Sequence, residues 1–265
     1  MTTADIRANY SQVATAYDGK WADVLAVHAR AVADRLDLRD ARRVAELGCG
    51  PGRLLDHLAG LAPQAQVIGS DLTEEMLRRA PARYDRVLGD LQALPFASAT
   101  LDAAVMPFVL FHVPDLPLAL AEIRRILTPG GSFAAVTWSG HDPHSAYDVW
   151  VRVIDEHGAP DDPSPQMPSN DVTSDPAKLR TALEAAGFGQ VEITVERFRH
   201  APTAAEFLAH SQVVGAMARR INLLPADRRT ACLAAAERAL AELDPEAFVE
   251  SGTVLYATAR AGDAG

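Results

Sequence analysis

Residues 44–54 read Val-Ala-Glu-Leu-Gly-Cys-Gly-Pro-Gly-Arg-Leu, an apolar run that breaks into alternating glycines and resumes with helical spacing at Leu54, Leu55 and Leu58. Gly48, Gly50 and Gly52 let the backbone turn sharply and let a ligand approach where a Cβ would obstruct it. A helix beginning there aims its N-terminal amides and the positive end of its dipole at the same spot. Working outward, Asp71 ends a second apolar run, Ala-Gln-Val-Ile-Gly-Ser-Asp, 19 residues beyond Gly52. A carboxylate at that strand end can accept hydrogen bonds from both hydroxyls of a ribose. Gly89-Asp90-Leu91 closes a third short run, Arg86 to Leu88, and sets a second acid where a nucleotide base would lie.

The glycine spacing separates nucleotide cofactors. A dinucleotide fingerprint, Gly-x-Gly-x-x-Gly, requires glycine at position 53, which is Arg53. The pattern here is Gly-x-Gly-x-Gly preceded by Glu46, with Glu46, Asp71 and Asp90 at three successive strand ends. That combination favours S-adenosyl-L-methionine over a nicotinamide or flavin dinucleotide.

Five segments then carry a family resemblance: Glu-Leu-Gly-Cys-Gly-Pro-Gly, Gly-Ser-Asp-Leu-Thr-Glu-Glu-Met-Leu, Gly-Asp-Leu-Gln-Ala-Leu-Pro-Phe, Phe-His-Val-Pro-Asp and Arg-Ile-Leu-Thr-Pro-Gly-Gly. In this order they resemble the motifs of class I S-adenosylmethionine-dependent methyltransferases, in the branch of quinone-biosynthesis and natural-product enzymes. The resemblance is dense over residues 10–138. It implies a Rossmann-like, doubly wound α/β sheet of seven strands, the last antiparallel. It also implies methyl transfer to an O, N or C nucleophile of a small molecule. Carried over residue by residue, Gly48, Cys49 and Gly50 pass under the methionine end and Glu46 orders that loop. Asp71 holds the ribose, Leu72 and Met76 line the adenine, and Asp90 with Leu91 reaches its amino edge. Met106, Pro107 and Phe108 face the sulfonium. Tyr10 and Tyr17, two helical turns apart, belong to an N-terminal segment that covers the cofactor in the look-alike family.

Methyl transfer needs alignment and exclusion of water more than it needs a catalytic triad. A base is required only where the nucleophile does not shed its own proton. His112, after the fourth strand, and His141 and His144, after the fifth, are the candidates, at the sheet edge where such folds bind ligands. Trp138, Tyr147 and Trp150 are candidate walls for an apolar acceptor. His141, Asp142 and His144 lack the scaffold of a metal site, and no metal is expected.

Periodicity places strands near 43–47, 66–70, 86–88, 101–106, 132–138, 191–198 and 253–259. It places helices near 21–37, 52–60, 73–80, 116–127 and 145–157, with Asp175-Pro176 starting another. The expected organisation is an N-terminal cover over 1–40, a cofactor-binding core over 41–140 and a proline-rich insert over 141–175. Residues 176–200 and 252–261 complete the sheet, and 201–251 form a helical lid. With 35 acids against 25 bases the net charge is −10, which argues against a nucleic-acid partner. Arg124-Arg125, Arg219-Arg220 and Arg228-Arg229 read as solvated helix faces. No apolar run approaches the ~18 residues of a membrane span, and the N-terminus lacks a secretory pattern. A cytoplasmic enzyme follows, with a small-molecule substrate, no membrane partner and room for a homodimer. Two alternatives remain at this stage: a non-methylating cyclisation or rearrangement in the same fold, and an NAD-dependent oxidoreductase.

Overall fold

The computed structural model describes residues 2–13, 20–162, 169–213 and 215–262. Five runs form the parallel strands, the central ones apolar on both faces and the edge strand Asp85–Leu88 largely exposed. These are β1 (Arg43–Leu47), β2 (Gln66–Asp71), β3 (Asp85–Leu88), β4 (Leu101–Pro107) and β5 (Leu127–His141). With β6 (Phe188–His200) and β7 (Glu250–Ala261) they make one sheet of order β3-β2-β1-β4-β5-β7-β6. β7 is antiparallel to both of its neighbours, as the resemblance implied. Register aligns Glu46 with Gly69 and Val105, and Asp71 with Leu88. The carboxyl ends of the first four strands therefore share one edge.

The helices are α1 (Thr3–Val13), α2 (Lys20–Ala33), α3 (Leu55–Leu61), α4 (Glu74–Leu77), α5 (Leu116–Ile126) and α6 (Ser145–Glu156), followed by α7 (Asn170–Thr173), α8 (Pro176–Ala185), α9 (Ala204–Ser211), α10 (Gly215–Asn222) and α11 (Ala226–Ala241). Their ends have local causes. Asp115 caps α5 by accepting from the Leu118 amide at 3.0 Å, and Asp175 caps α8 through Ala177 and Lys178 with Pro176 in the first turn. Side-chain caps of this kind satisfy amides that the helix itself leaves open.

Several boundaries depart from expectation, among them those of α3, α4 and β5. α3 starts at Leu55 because Gly48, Gly50 and Gly52 all hold positive φ (+74°, +52° and +75°), which keeps the chain out of helix through the turn that follows. α4 is a single turn, and residues 78–80 form a turn ahead of Pro81. β5 runs 15 residues, beyond the expected 132–138, since β4 and β7 pair with it on opposite sides.

Two apolar cores pack on the two faces of the sheet. A third lies apart from them and joins α6 to α9, α10 and α11 around Trp150, Ile154, Phe207, Ile221 and Leu240. The two inserted segments thus share one core. The pair Arg219-Arg220 belongs to that lobe, which corrects its reading as a solvated face. Arg220 is 8% exposed and donates to the Asp155 carboxylate (2.6 Å) and to the carbonyls of Ala159 and Pro160 (3.1 and 2.8 Å). Arg219 grips Asp162 through two bonds of 3.0 and 2.6 Å. Arg125 likewise turns inward, to Glu122 and the carbonyls of Leu94 and Phe96. Among the described residues no helix is long and apolar enough to cross a membrane.

Candidate functional site

The glycine loop is fastened to the neighbouring strand. The amides of Gly48 and Cys49 both donate to the Ser70 carbonyl, at 2.7 and 2.9 Å. A Cβ on Gly48 would sit 2.5 Å from Val109 Cγ2, whereas one on Gly50 would meet nothing within 4 Å. The loop is packed beneath and open above, which leaves its backbone available to a ligand. Cys49 turns downward: its Sγ occupies the space over Gly69, and burial pushes the thiol up and out of the reactive range.

Two carboxyl groups meet beside the loop. Asp71 Oδ2 accepts from the Gly50 amide at 2.8 Å, and Oδ1 accepts from the Thr73 amide and hydroxyl at 2.9 and 3.0 Å. Burial raises its pKa, and these hydrogen bonds oppose the shift. A carboxylate has about four acceptor positions, so the two oxygens retain capacity for a ligand hydroxyl. Glu46 is 3% exposed, and its Oε2 has no hydrogen-bond partner among the described residues. Burial first, and the nearby Asp71 second, push its carboxyl well above the usual range.

One cavity collects most of the expected residues. Gly48, Cys49, Gly50 and Glu46 border it near the loop, and Asp71, Leu72, Met76, Asp90 and Leu91 along one flank. Pro107, Phe108 and His112 border it after β4, and Tyr10 comes in from α1. Phe108 holds φ +56°, a left-handed conformation that costs a non-glycine residue ~1–3 kcal/mol and concentrates at ligand sites. The Tyr10 hydroxyl lies 2.7 Å from His112 Nε2, with the two rings edge to face. Burial, and then the Arg219 cation, push His112 down to about 4, so the imidazole is neutral at physiological pH.

The cover also came from residues that sequence reasoning passed over. Beside the expected Tyr10, Thr3 and Ile6 line the cavity from α1, and Leu25 and Ala29 from α2. Their spacings of three and four residues are those of one helix face, a signal that was present in the sequence. Gln92 ties this cover to the third strand end, donating to Thr3 Oγ1 at 2.9 Å while its amide donates to Asp90 at 3.0 Å.

Met106, His141, His144 and Trp150 stand elsewhere. Met106 does not border the cavity: strand alternation turns it away from Pro107, and it is fully buried in the core that includes Leu110 and Ile123. Tyr17 lies outside the described residues. His141 does not border the cavity either; it packs on Trp138 and Phe198 with ring centroids 4.8 and 5.6 Å away. His144 precedes α6, with its ring against Phe207 and its Nδ1 3.4 Å from the Ala247 carbonyl. Trp150 is buried in the third core.

Residues 45–135 match the methyltransferase domain. The chain is 32% identical over 182 residues to the ubiquinone/menaquinone biosynthesis C-methyltransferase UbiE of Paracoccus denitrificans, across 61% of this chain and 72% of that protein. The chain belongs to the class I S-adenosylmethionine-dependent methyltransferases. An uncharacterized 37.1 kDa protein in a Streptomyces fradiae transposon is 42% identical over 105 residues, 37% of this chain and 30% of its own length. The chain thus spans under a third of that relative. The solved structure of the YcgJ protein from Bacillus subtilis shares the fold, with a TM-score of 0.57 and 18% identity over 89% of this chain and 99% of that one. The cavity of this methyltransferase fits the family's cofactor: an unpartnered buried acid oxygen, open backbone over Gly50 and apolar Leu72 and Met76 stand together in it.

Proposed function

We propose that this protein transfers a methyl group from S-adenosylmethionine to a small-molecule acceptor. The observation that carries this reading is the convergence of Glu46, Asp71 and Asp90, the acids at three adjacent strand ends, on one cavity roofed by α1 and α2. The cofactor, when bound, supplies an electrophilic methyl on a sulfonium. The backbone of Gly48, Cys49 and Gly50 would hold its amino-acid end, Asp71 its ribose, and Leu72, Met76, Asp90 and Leu91 its adenine. Pro107 and Phe108 would border the sulfonium. Arg53 stands where a dinucleotide site needs glycine, which weighs against nicotinamide chemistry.

Most of the rate enhancement comes from alignment: a well-oriented pair of reactants gains roughly 7–11 kcal/mol. Tyr10 and Ile6 of α1 exclude water from the reacting end. Neutral His112 is the proton acceptor for a nucleophile that carries a proton. In the tautomer protonated at Nδ1, its Nε2 accepts the Tyr10 phenol proton, and the phenol oxygen in turn accepts from the acceptor group. His141 and His144, away from this cavity, take no part in the proton transfer; His141 belongs to the wall that leads out from Phe108.

Thermal unfolding with saturating S-adenosylmethionine, S-adenosylhomocysteine and NADH in turn tests the reading. At a hundredfold excess over Kd a ligand adds about 2.7 kcal/mol, roughly 5–10 °C for a domain of this size. A rise with the first two alone is expected; a rise with NADH alone overturns the assignment. Transfer of labelled methyl to an acceptor separates methylation from a cyclisation in the same fold.

A further inference from the structure

Glu250 opens β7 at the edge that carries the cavity, and none of the functional roles above uses it. Among the described residues its carboxyl makes no hydrogen bond and no ion pair, and burial alone pushes it up to about 7. The cations around it are engaged elsewhere: Arg197 pairs with Asp142, and Arg199 with Glu246. Both arginines occupy alternate positions of β6, on the face opposite Phe198 and His200.

Register fixes what shares the face of Glu250. Side chains two apart on a strand lie on one face, so Val254, Gly252 and Glu250 follow one another. Trp138 pairs with Val254, His141 and Phe198 flank Gly252 from the two sides, and His200 pairs with Glu250. Gly252 leaves the space that the Phe198 ring fills; a Cβ there would lie 2.8 Å from Phe198 Cε1. The rings form a continuous row: Phe108 to Trp138 at 4.5 Å, Trp138 to Phe198 at 5.2 Å and Phe198 to His141 at 5.6 Å. Phe108 borders the cofactor cavity, so the row leads from the methyl-donor site toward the half-buried acid. The other titratable groups toward Glu250 are His200, His141 and, on α9, His210, which burial and the adjacent His200 push down to about 4. His210 is therefore uncharged at neutral pH and does not supply a counter-ion.

We propose that this aromatic row with Glu250 at its end is the acceptor subsite, and that it takes an aryl-alkyl amine, the ring lying along the row and the ammonium on Glu250. The inference rests on the methyltransferase reading above. Two strand residues span about 6.6 Å, so an acceptor ring beside Phe198 and His141 reaches Glu250 through a two-carbon tether. Aromatic faces attract a cation, and a half-buried carboxylate that has no partner among the described residues gains one when the amine enters. The acid then ionises against the ammonium in a site of low polarity, which discriminates strongly against a neutral isostere.

The test uses tryptamine and its neutral isostere tryptophol, titrated calorimetrically at pH 8 into the full-length protein saturated with S-adenosylhomocysteine. Saturation is established first. Failure to bind S-adenosylhomocysteine overturns the methyltransferase reading, and that result is separate from the outcomes that follow. Tryptamine is expected to bind at least tenfold tighter than tryptophol. Glu250→Gln should abolish the difference and leave S-adenosylhomocysteine affinity within twofold, and Glu250→Asp should retain part of it. Equal binding of the two probes to the wild-type protein, absence of binding by both, or an undiminished preference in Glu250→Gln overturns the proposal.

Discussion

Tyr10 and His112, separated by 102 residues, meet through a contact of 2.7 Å that ties the N-terminal cover to the loop after β4. Gln92 to Thr3 and Ser11 to Glu75 also hold α1 in place. A single neutral hydrogen bond contributes ~0.5–1.5 kcal/mol. Tyr10→Phe should therefore weaken S-adenosylhomocysteine binding roughly three- to tenfold and lower turnover further for an acceptor that must lose a proton. Calorimetry and steady-state kinetics read the two effects separately, and unchanged values for both would remove Tyr10 from the site.

His112 also makes an acid-side contribution to stability. Its folded pKa, about 4, lies below the ordinary value of 6.5 because of burial and then Arg219. Between pH 6.5 and 4 the unfolded chain takes up a proton that the folded chain refuses, so stability falls as pH falls through that window. At 1.36 kcal/mol per pKa unit the loss is about 3 kcal/mol. Urea unfolding at pH 7 and pH 4.5 should show a smaller drop in His112→Gln than in the wild type.

Asp71 joins the glycine loop to the start of α4 and lines the cavity. Asp71→Ala removes three hydrogen bonds within the protein together with the acceptor for the ribose. Affinity for S-adenosylhomocysteine should fall at least tenfold, on the order of 1.4 kcal/mol. Isothermal titration settles it, and wild-type affinity in this variant would reject the ribose assignment.

Gly48→Ala adds a methyl 2.5 Å from Val109 Cγ2 at a φ of +74°. Overpacking and left-handed strain each cost ~1–3 kcal/mol. The single variant should lower Tm clearly. Gly48→Ala with Val109→Ala should recover only the steric part, leaving the backbone part in place.

The third core offers a contrast. Arg220→Met removes the donors to Asp155, Ala159 and Pro160 and should cost about 2–4 kcal/mol in urea unfolding. Cofactor affinity should stay within twofold, because none of these partners borders the cavity.

The glycine loop and its acids were legible because their chemistry depends on spacing along single strand ends, which a sequence displays directly. Gly48, Asp71 and Asp90 stand at one edge as expected. Met106 was misplaced because neighbouring strand residues point to opposite faces, and only the closed sheet reveals which of Met106 and Pro107 borders the cavity. The start of α3 was misread because helical leucine spacing continues through a turn that left-handed glycines keep non-helical. Arg220 looked solvated because its partners, Asp155, Ala159 and Pro160, lie about 60 residues earlier in the chain. The row from Phe108 to Glu250 depends on the register among β5, β6 and β7, which no local pattern encodes.

The position of β7 between β5 and β6 governs how the protein can come into being on the ribosome. Until residue 250 emerges, β5 presents a long unpaired edge and β6 has no neighbour in the sheet. Bare edges of this kind template association between nascent chains, and distant strand pairing is slow. The helical lobe of α9–α11 is translated in that interval and has a core to form with α6. Its early collapse would carry the end of β6 toward β5 and hold open the slot that the last strand fills, so lobe variants such as Arg220→Met should raise aggregation during synthesis more than their equilibrium stability implies.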